Sequence, residues 1–208
     1  MSRREWTVNA TLSFKAPPPN ISAASWAICE TDSGGLLWGK GDDEQRDIAS
    51  ITKMMTCYVT HRYVTLGILD WDTEVEVSRF SSSIGGTSAN LREGDLLTVK
   101  DLMYGMMLPS GNDAALALAE LIGEITHDGY GTSSNYANTF VGEMNRFARH
   151  MGLTHTHYLN PHGLRAGNKS TCRDIARLAS YLMSEEEIRE IVNTKAYKCT
   201  LENYEFDR

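Results

Sequence analysis

The chain has 208 residues, a formal net charge of −7, 41% hydrophobic and 23% charged residues, the balance of a soluble globular protein of one domain or one and a half. Acidity argues against a general binder of nucleic acid or anionic membrane, since those carry basic patches. No apolar run approaches a membrane span, and Met1-Ser2-Arg3-Arg4 has no apolar stretch behind it of the kind a secretory signal carries.

Residues 1–20 are polar and end in Pro17-Pro18-Pro19-Asn20, which predicts an extended lead-in. Ala24–Glu30 and Leu36–Lys40 flank Thr31-Asp32-Ser33-Gly34-Gly35 and predict a β-hairpin. A polar loop, 41–47, leads to Ser50 and a helix that runs to about Leu66 and ends at Gly67. Its apolar residues Ile51, Met54, Met55, Tyr58 and Val59 form the stripe of a helix packed on a core. From Ile68 to Leu97 short alternating runs, such as Thr73-Glu74-Val75-Glu76-Val77, predict small strands and loops outside the main sheet. Asp70 to Glu74 superficially resembles a calcium loop, but Val75 stands where that loop needs glycine.

Thr98 and Asp101 predict a capping box opening a helix with Val99, Leu102, Met103, Met106 and Met107 on one face, stopped by Pro109. Asp113 to Ile122 is apolar nearly all round, which predicts a helix in the middle of the domain, with Gly123 as its C-cap. The Gly, Ser, Thr and Asn of 124–137 predict an exposed loop, and Phe140 to Met151 the next helix, closed by Gly152. Thr171 and Asp174 suit the cap of a helix through Met183, and Ser184 and Glu187 that of a short one after it. Lys195 to Arg208 is polar and reads at most as the start of a strand. Cys29, Cys57, Cys172 and Cys199 are scattered, compatible with four ordinary thiols or with one or two disulfides.

Two short motifs carry chemistry. Ser50 and Lys53 are one turn apart, so their side chains can touch. A serine hydroxyl needs a nearby base to attack, and a lysine serves only if burial or a positive field lowers its pKa. Alone, the spacing is weak and more often marks a capping serine and a solvated lysine. Ser110-Gly111-Asn112 lies in a tight break between two helices, where a serine can pass a proton and an asparagine amide can orient a substrate. Alone, it also suits a helix-breaking turn with an N-cap. His155, His157 and His162 pose a zinc alternative to plain loop packing.

Together the motifs resemble those of the penicillin-binding proteins and serine β-lactamases. The wording of Ala49-Ser50-Ile51-Thr52-Lys53-Met54-Met55, of Leu108 to Ala115, of Tyr158-Leu159-Asn160-Pro161-His162-Gly163-Leu164 and of Ser170 to Ala176 is similar to the low-molecular-mass D-alanyl-D-alanine carboxypeptidases, from about Pro19 to Tyr197. That resemblance implies an α+β fold: an antiparallel sheet flanked by helices, with a largely helical part inserted after the nucleophile helix. It implies a catalytic domain over 21–208, with Ser50 as acylated nucleophile and its backbone N–H as an oxyanion donor. Lys53 would be the general base, Ser110 a proton shuttle and Asn112 the substrate-binding residue. It implies no metal and no organic cofactor. The partners would be a peptidoglycan stem peptide and β-lactam antibiotics, at an extracytoplasmic site. The superfamily's third motif, Lys-Thr-Gly, is found nowhere in the 208 residues, so the expectation is a domain lacking its C-terminal strands. A catalytically inactive binding module and an esterase or amidase on another small substrate are the alternatives. Residues 155–164 contain no acidic residue to activate a deacylating water as in class A β-lactamases, so a β-lactam bound to Ser50 should leave slowly.

Overall fold

The computed structural model describes residues 20–199. The predicted Pro17-Pro18-Pro19 lead-in and the chain beyond residue 199 lie outside the described residues. Among the described residues six short strands and seven helices make an α+β fold, whose strands pair as three two-stranded antiparallel ribbons. β1 (Trp26–Cys29) and β2 (Leu36–Lys40) form the expected hairpin, with an irregularity at Ile28/Cys29. β3 (Arg46–Asp47) pairs with β6 (Lys169–Ser170), a link across more than a hundred residues that no local pattern announces. β4 (Glu74–Glu76) pairs with β5 (Leu96–Thr98); the alternation of the first buries Val75 and exposes both glutamates.

A 3-10 turn over Ala49–Thr52 runs into α1 (Lys53–Thr65). The expected single apolar stripe needs correcting. Ile51 is exposed, while Thr52, Lys53, Thr56, Cys57, Thr60 and His61 are buried beside Met55 and Val59. This helix is enclosed on several sides, and its polar residues find partners in loops: Thr56 Oγ1 donates to Pro161 O at 2.6 Å, and Thr52 Oγ1 accepts from Asn168 Nδ2 at 2.8 Å.

After the one-turn α2 (Arg79–Ser82), α3 (Val99–Met107) opens with the predicted Thr98/Asp101 capping box. α4 (Asn112–Thr126) is buried nearly all round. It does not stop at Gly123 but runs three residues further, and Gly123 marks the closest approach to α5 (Ser133–His150). A Cβ there would meet Tyr136 O at 1.9 Å. The loop expected over 124–137 is therefore shorter, because Thr132 and Asn135 form a second capping box that starts α5. α6 (Cys172–Met183) takes its Thr171 cap as expected, whereas α7 (Glu186–Asn193) starts from Glu185 rather than Ser184. Residues 195–199 form no strand; Tyr197 there stacks on Tyr104 with ring centroids 3.8 Å apart. All four cysteines are free thiols. Among the described residues no helix is long and apolar enough to cross a membrane.

Gly123→Ala separates local propensity from packing. Propensity alone would favour alanine in this helix by about 1 kcal/mol. The backbone of Tyr136 leaves no room for the methyl, so chemical denaturation should show a loss of about 1–3 kcal/mol.

Candidate active site

Ser50 is exposed and Lys53 is buried, and both belong to the turn that begins α1. The chain enters this turn through Ala49 at φ +44°, a left-handed conformation that costs a residue with a Cβ and persists only where surroundings enforce it. The enforcing contact is Gly163. With its own φ at +82°, it lies so close that a Cβ would meet Ala49 O at 1.9 Å and Ser50 N at 3.0 Å. Glycine is required there on both counts. The first-turn N–H groups, Ser50's included, fall where a helix lacks intrahelical acceptors.

The loop that carries Gly163 is fixed by side-chain amides. Asn160 Oδ1 accepts from Gly163 N at 2.7 Å, and Asn168 Oδ1 from Leu159 N at 2.7 Å. Asn168 Nδ2 donates to Asn160 O at 2.9 Å and to Thr52 on α1. From α5, Asn145 Nδ2 donates to Tyr158 O at 2.8 Å while its Oδ1 accepts from Tyr158 N at 2.9 Å. His162 is buried, and its Nδ1 accepts from Leu164 N at 3.0 Å. Burial, with Lys53 and then Arg165 nearby, pushes its pKa down to about 4, so the ring is neutral at ordinary pH.

Lys53 Nζ lies 2.7 Å from Asn112 Oδ1, 2.8 Å from His162 O and 3.4 Å from Ser50 Oγ. Burial pushes its pKa down to about 8, against the opposing pull of Asp113. The arrangement is directional. A neutral amine has two N–H bonds and one lone pair; donating to the two carbonyl oxygens leaves the lone pair for Ser50 Oγ–H. A buried lysine near its pKa, beside a serine at a helix N-terminus, can take that serine's proton as the oxygen attacks a carbonyl.

Asn112 is the first residue of α4, with its backbone N–H on Thr87 O at 2.8 Å and its Nδ2 donating to Gly85 O at 2.9 Å. Its amide is thus already engaged at both ends, one of them by Lys53. Ser110 precedes it at φ +60°, half-buried, its carbonyl accepting from Thr87 Oγ1. The Ser110 hydroxyl is not among the three partners of Lys53. Of the four residues predicted from sequence, Ser50, Lys53 and Asn112 thus meet at the junction of α1 and α4, and Ser110 stands two residues before Asn112 in the chain. The carbonyls of His162 and Gly85, Gly163 and Asp113 belong to the same junction and were not singled out; their signals were the Asn160-Pro161-His162-Gly163 run and the aspartate after Asn112.

The three histidines do not share one site: His155 and His157 are exposed, whereas His162 is buried against Lys53. The group that the described residues do bring together is His61, Glu185 and Glu187, with ligand atoms within 4.8 Å of one another, toward the far end of α1.

A family model described as D-alanyl-D-alanine carboxypeptidase matches residues 12–207. The chain belongs to that family. The D-alanyl-D-alanine carboxypeptidase of Streptomyces sp. (strain K15) is 35% identical over 199 residues, covering 92% of this chain and 65% of that protein. DacF of Bacillus subtilis, also named a D-alanyl-D-alanine carboxypeptidase, is 33% identical over 83% of this chain and 42% of its own length. Among solved structures, penicillin-binding protein 6B from Escherichia coli matches with a TM-score of 0.80 at 32% identity, over 90% of this chain and 58% of that one. The Streptomyces K15 DD-transpeptidase matches with a TM-score of 0.77 at 34% identity, over 88% and 68%. The α+β carboxypeptidase-family fold is therefore that of this chain, which spans 65% and 42% of the length of the two curated relatives.

Two outcomes follow from the geometry. An NMR titration of Lys53, ¹³C-labelled at Cε, should give a midpoint near 8 rather than 10.5. Because an unfolded lysine still holds its proton in that window, stability should rise as pH passes through it. Gly163→Ala should displace the Ala49–Ser50 peptide and lower the rate of Ser50 acylation by about 10²-fold, the scale of an ångström-sized misplacement.

Proposed function

We propose that the chain carries the acylation machinery of a serine-type D-Ala-D-Ala carboxypeptidase acting on the D-Ala-D-Ala end of peptidoglycan stem peptides. The observation that carries the reading is the buried Lys53 amine held by two carbonyl oxygens beside Ser50, in a chain of this family. Ser50 Oγ gives its proton to Lys53 Nζ and attacks the carbonyl carbon of the penultimate D-Ala. The Ser50 backbone N–H faces the developing oxyanion, a kind of donor whose loss costs about 10²–10³ in rate elsewhere. The C–N bond then breaks, and the proton passes from Lys53 through Ser110 to the leaving D-Ala amine. Water hydrolyses the Ser50 ester and restores the hydroxyl.

Asn112 has a dual part in this scheme. Its carbonyl oxygen orients Lys53, and the N–H not given to Gly85 is left for the peptide backbone of the substrate. A β-lactam would acylate Ser50 by the same attack, its ring amide standing in for the D-Ala-D-Ala bond. No step calls on a metal or an organic cofactor. Such a substrate lies outside the cytoplasmic membrane, so the enzyme would work on that side.

The test is release of D-Ala from a synthetic stem peptide ending in D-Ala-D-Ala, with its D-Ala-L-Ala isomer as comparison. Release from the first alone, reduced at least about 10³-fold in Ser50→Ala, is the expected result. Binding of the peptide by the folded chain without release would contradict the reading in favour of a binding module. Hydrolysis of simple esters with neither peptide cleaved would contradict it in favour of an esterase.

A further inference from the structure

Asp113 is 1% exposed and has no place in the proton transfers above. Its carboxylate accepts four hydrogen bonds. Three come from one loop: Ser88 Oγ at 2.5 Å, Ala89 N at 2.9 Å and Leu91 N at 3.1 Å. The fourth is its neighbour Ala114 N at 2.9 Å. We propose that Asp113 is a positioning residue, which staples the 85–91 loop to the start of α4 and through it fixes the Asn112 amide that orients Lys53. The proposal rests on the reading of Lys53 as the base for Ser50.

An asparagine amide has an acceptor end and a donor end of nearly the same shape, and only its partners decide which faces where. Here the loop decides. Gly85 O can only accept, so Nδ2 turns toward it and Oδ1 is left to face Lys53. Thr87 O likewise receives the Asn112 backbone N–H. Moving the loop would free the amide to present N–H groups to Lys53, which would repel the ammonium and misdirect the amine. The loop is held in a conformation that needs holding: Asn90 has φ +61°, and with Ala49 and Ser110 it completes the non-glycine residues at positive φ among those described. Gly111 leaves space for the same contact, since a Cβ there would lie 2.7 Å from Asp113 Oδ1 and 2.9 Å from Ala89 N.

Asp113 also acts through its charge. It is the negative group that opposes the loss of Lys53's proton on burial. Lys53 itself, with Arg165, faces His162, which burial holds neutral. The aspartate therefore bears on both the direction in which the amine points and, against the larger effect of burial, the pH at which it becomes free.

The test compares native chain, Asp113→Asn and Ser88→Ala by NMR, with Lys53 assigned by its loss in Lys53→Arg, so that no readout needs turnover. In Asp113→Asn the Lys53 midpoint should fall by about one pH unit, the scale of losing one nearby opposite charge. The Ala89 and Leu91 amides should exchange with solvent at least about tenfold faster, as a lost local hydrogen bond of about 1.4 kcal/mol implies. Ser88→Ala keeps the charge, so it should speed exchange at Ala89 and Leu91 while the midpoint stays put. A folded Asp113→Asn whose loop loosens while Lys53 titrates as in the native chain would reduce Asp113 to a structural residue and overturn the proposal. If Asp113→Asn does not fold, unchanged exchange of both amides in Ser88→Ala overturns it. Failure of the native chain to acylate Ser50 is a separate result that leaves these readouts intact and counts against the functional reading alone.

Discussion

The site depends on one buried amine held between two carbonyl oxygens that come from separate stretches of the sequence, the start of α4 and the 158–168 loop. Placing a lysine where water is scarce disfavours its charged form, and the fold meets that cost with Asn112 Oδ1 and His162 O. Those acceptors determine where α1 must lie. Its polar face docks on the 158–168 loop through Thr52, Lys53 and Thr56, and its first turn meets the start of α4 through Asn112. An ordinary amphipathic helix would present its polar residues to solvent. Here the enclosure of the polar residues is what pushes the Lys53 pKa down to about 8.

Strain is concentrated at this point and supplied with reinforcement from outside it. Ala49, Asn90 and Ser110, left-handed without being glycine, surround the site, consistent with the clustering of such conformations at functional centres. Each is held by a contact that a small change would lose: Ala49 by Gly163, the Asn90 loop by Asp113, Ser110 by Thr87. The close crossing of α4 and α5 at Gly123 gives these loops a rigid base. Loops fixed by asparagine and aspartate side chains, on a scaffold packed tightly by helices, place reacting groups more finely than loops alone.

Much of this was legible in the sequence where the determinants are local. The capping box at Thr98/Asp101 and the cap at Thr171 could be read directly, and β2 was expected at its observed bounds. The start of α5 was hidden because Thr132 and Asn135 sit in a stretch whose Gly and Ser content reads as loop. Gly123 read as a helix end, since a local pattern cannot reveal a backbone pressed against it from another helix. The stripe through Ile51 failed for a related reason: the first turn of α1 is 3-10, and the loops around α1, not a 3.6-residue period, decide which residues are buried. Within the site, Ser50 and Lys53 were readable as a pair that could touch, and their roles followed only from the resemblance of the combined motifs. The carbonyls of His162 and Gly85 were not readable, because any residue offers a carbonyl and only the fold gives it a direction.

Intact-mass analysis after incubation with benzylpenicillin, on the native chain and on Ser50→Ala, tests the central claim most directly. The account predicts one covalent adduct of the drug's mass on the native chain, none on the variant, and slow loss of the adduct. A folded native chain whose Lys53 titrates near 8 and whose mass stays unchanged would contradict it, since the amine would then be free without activating the serine.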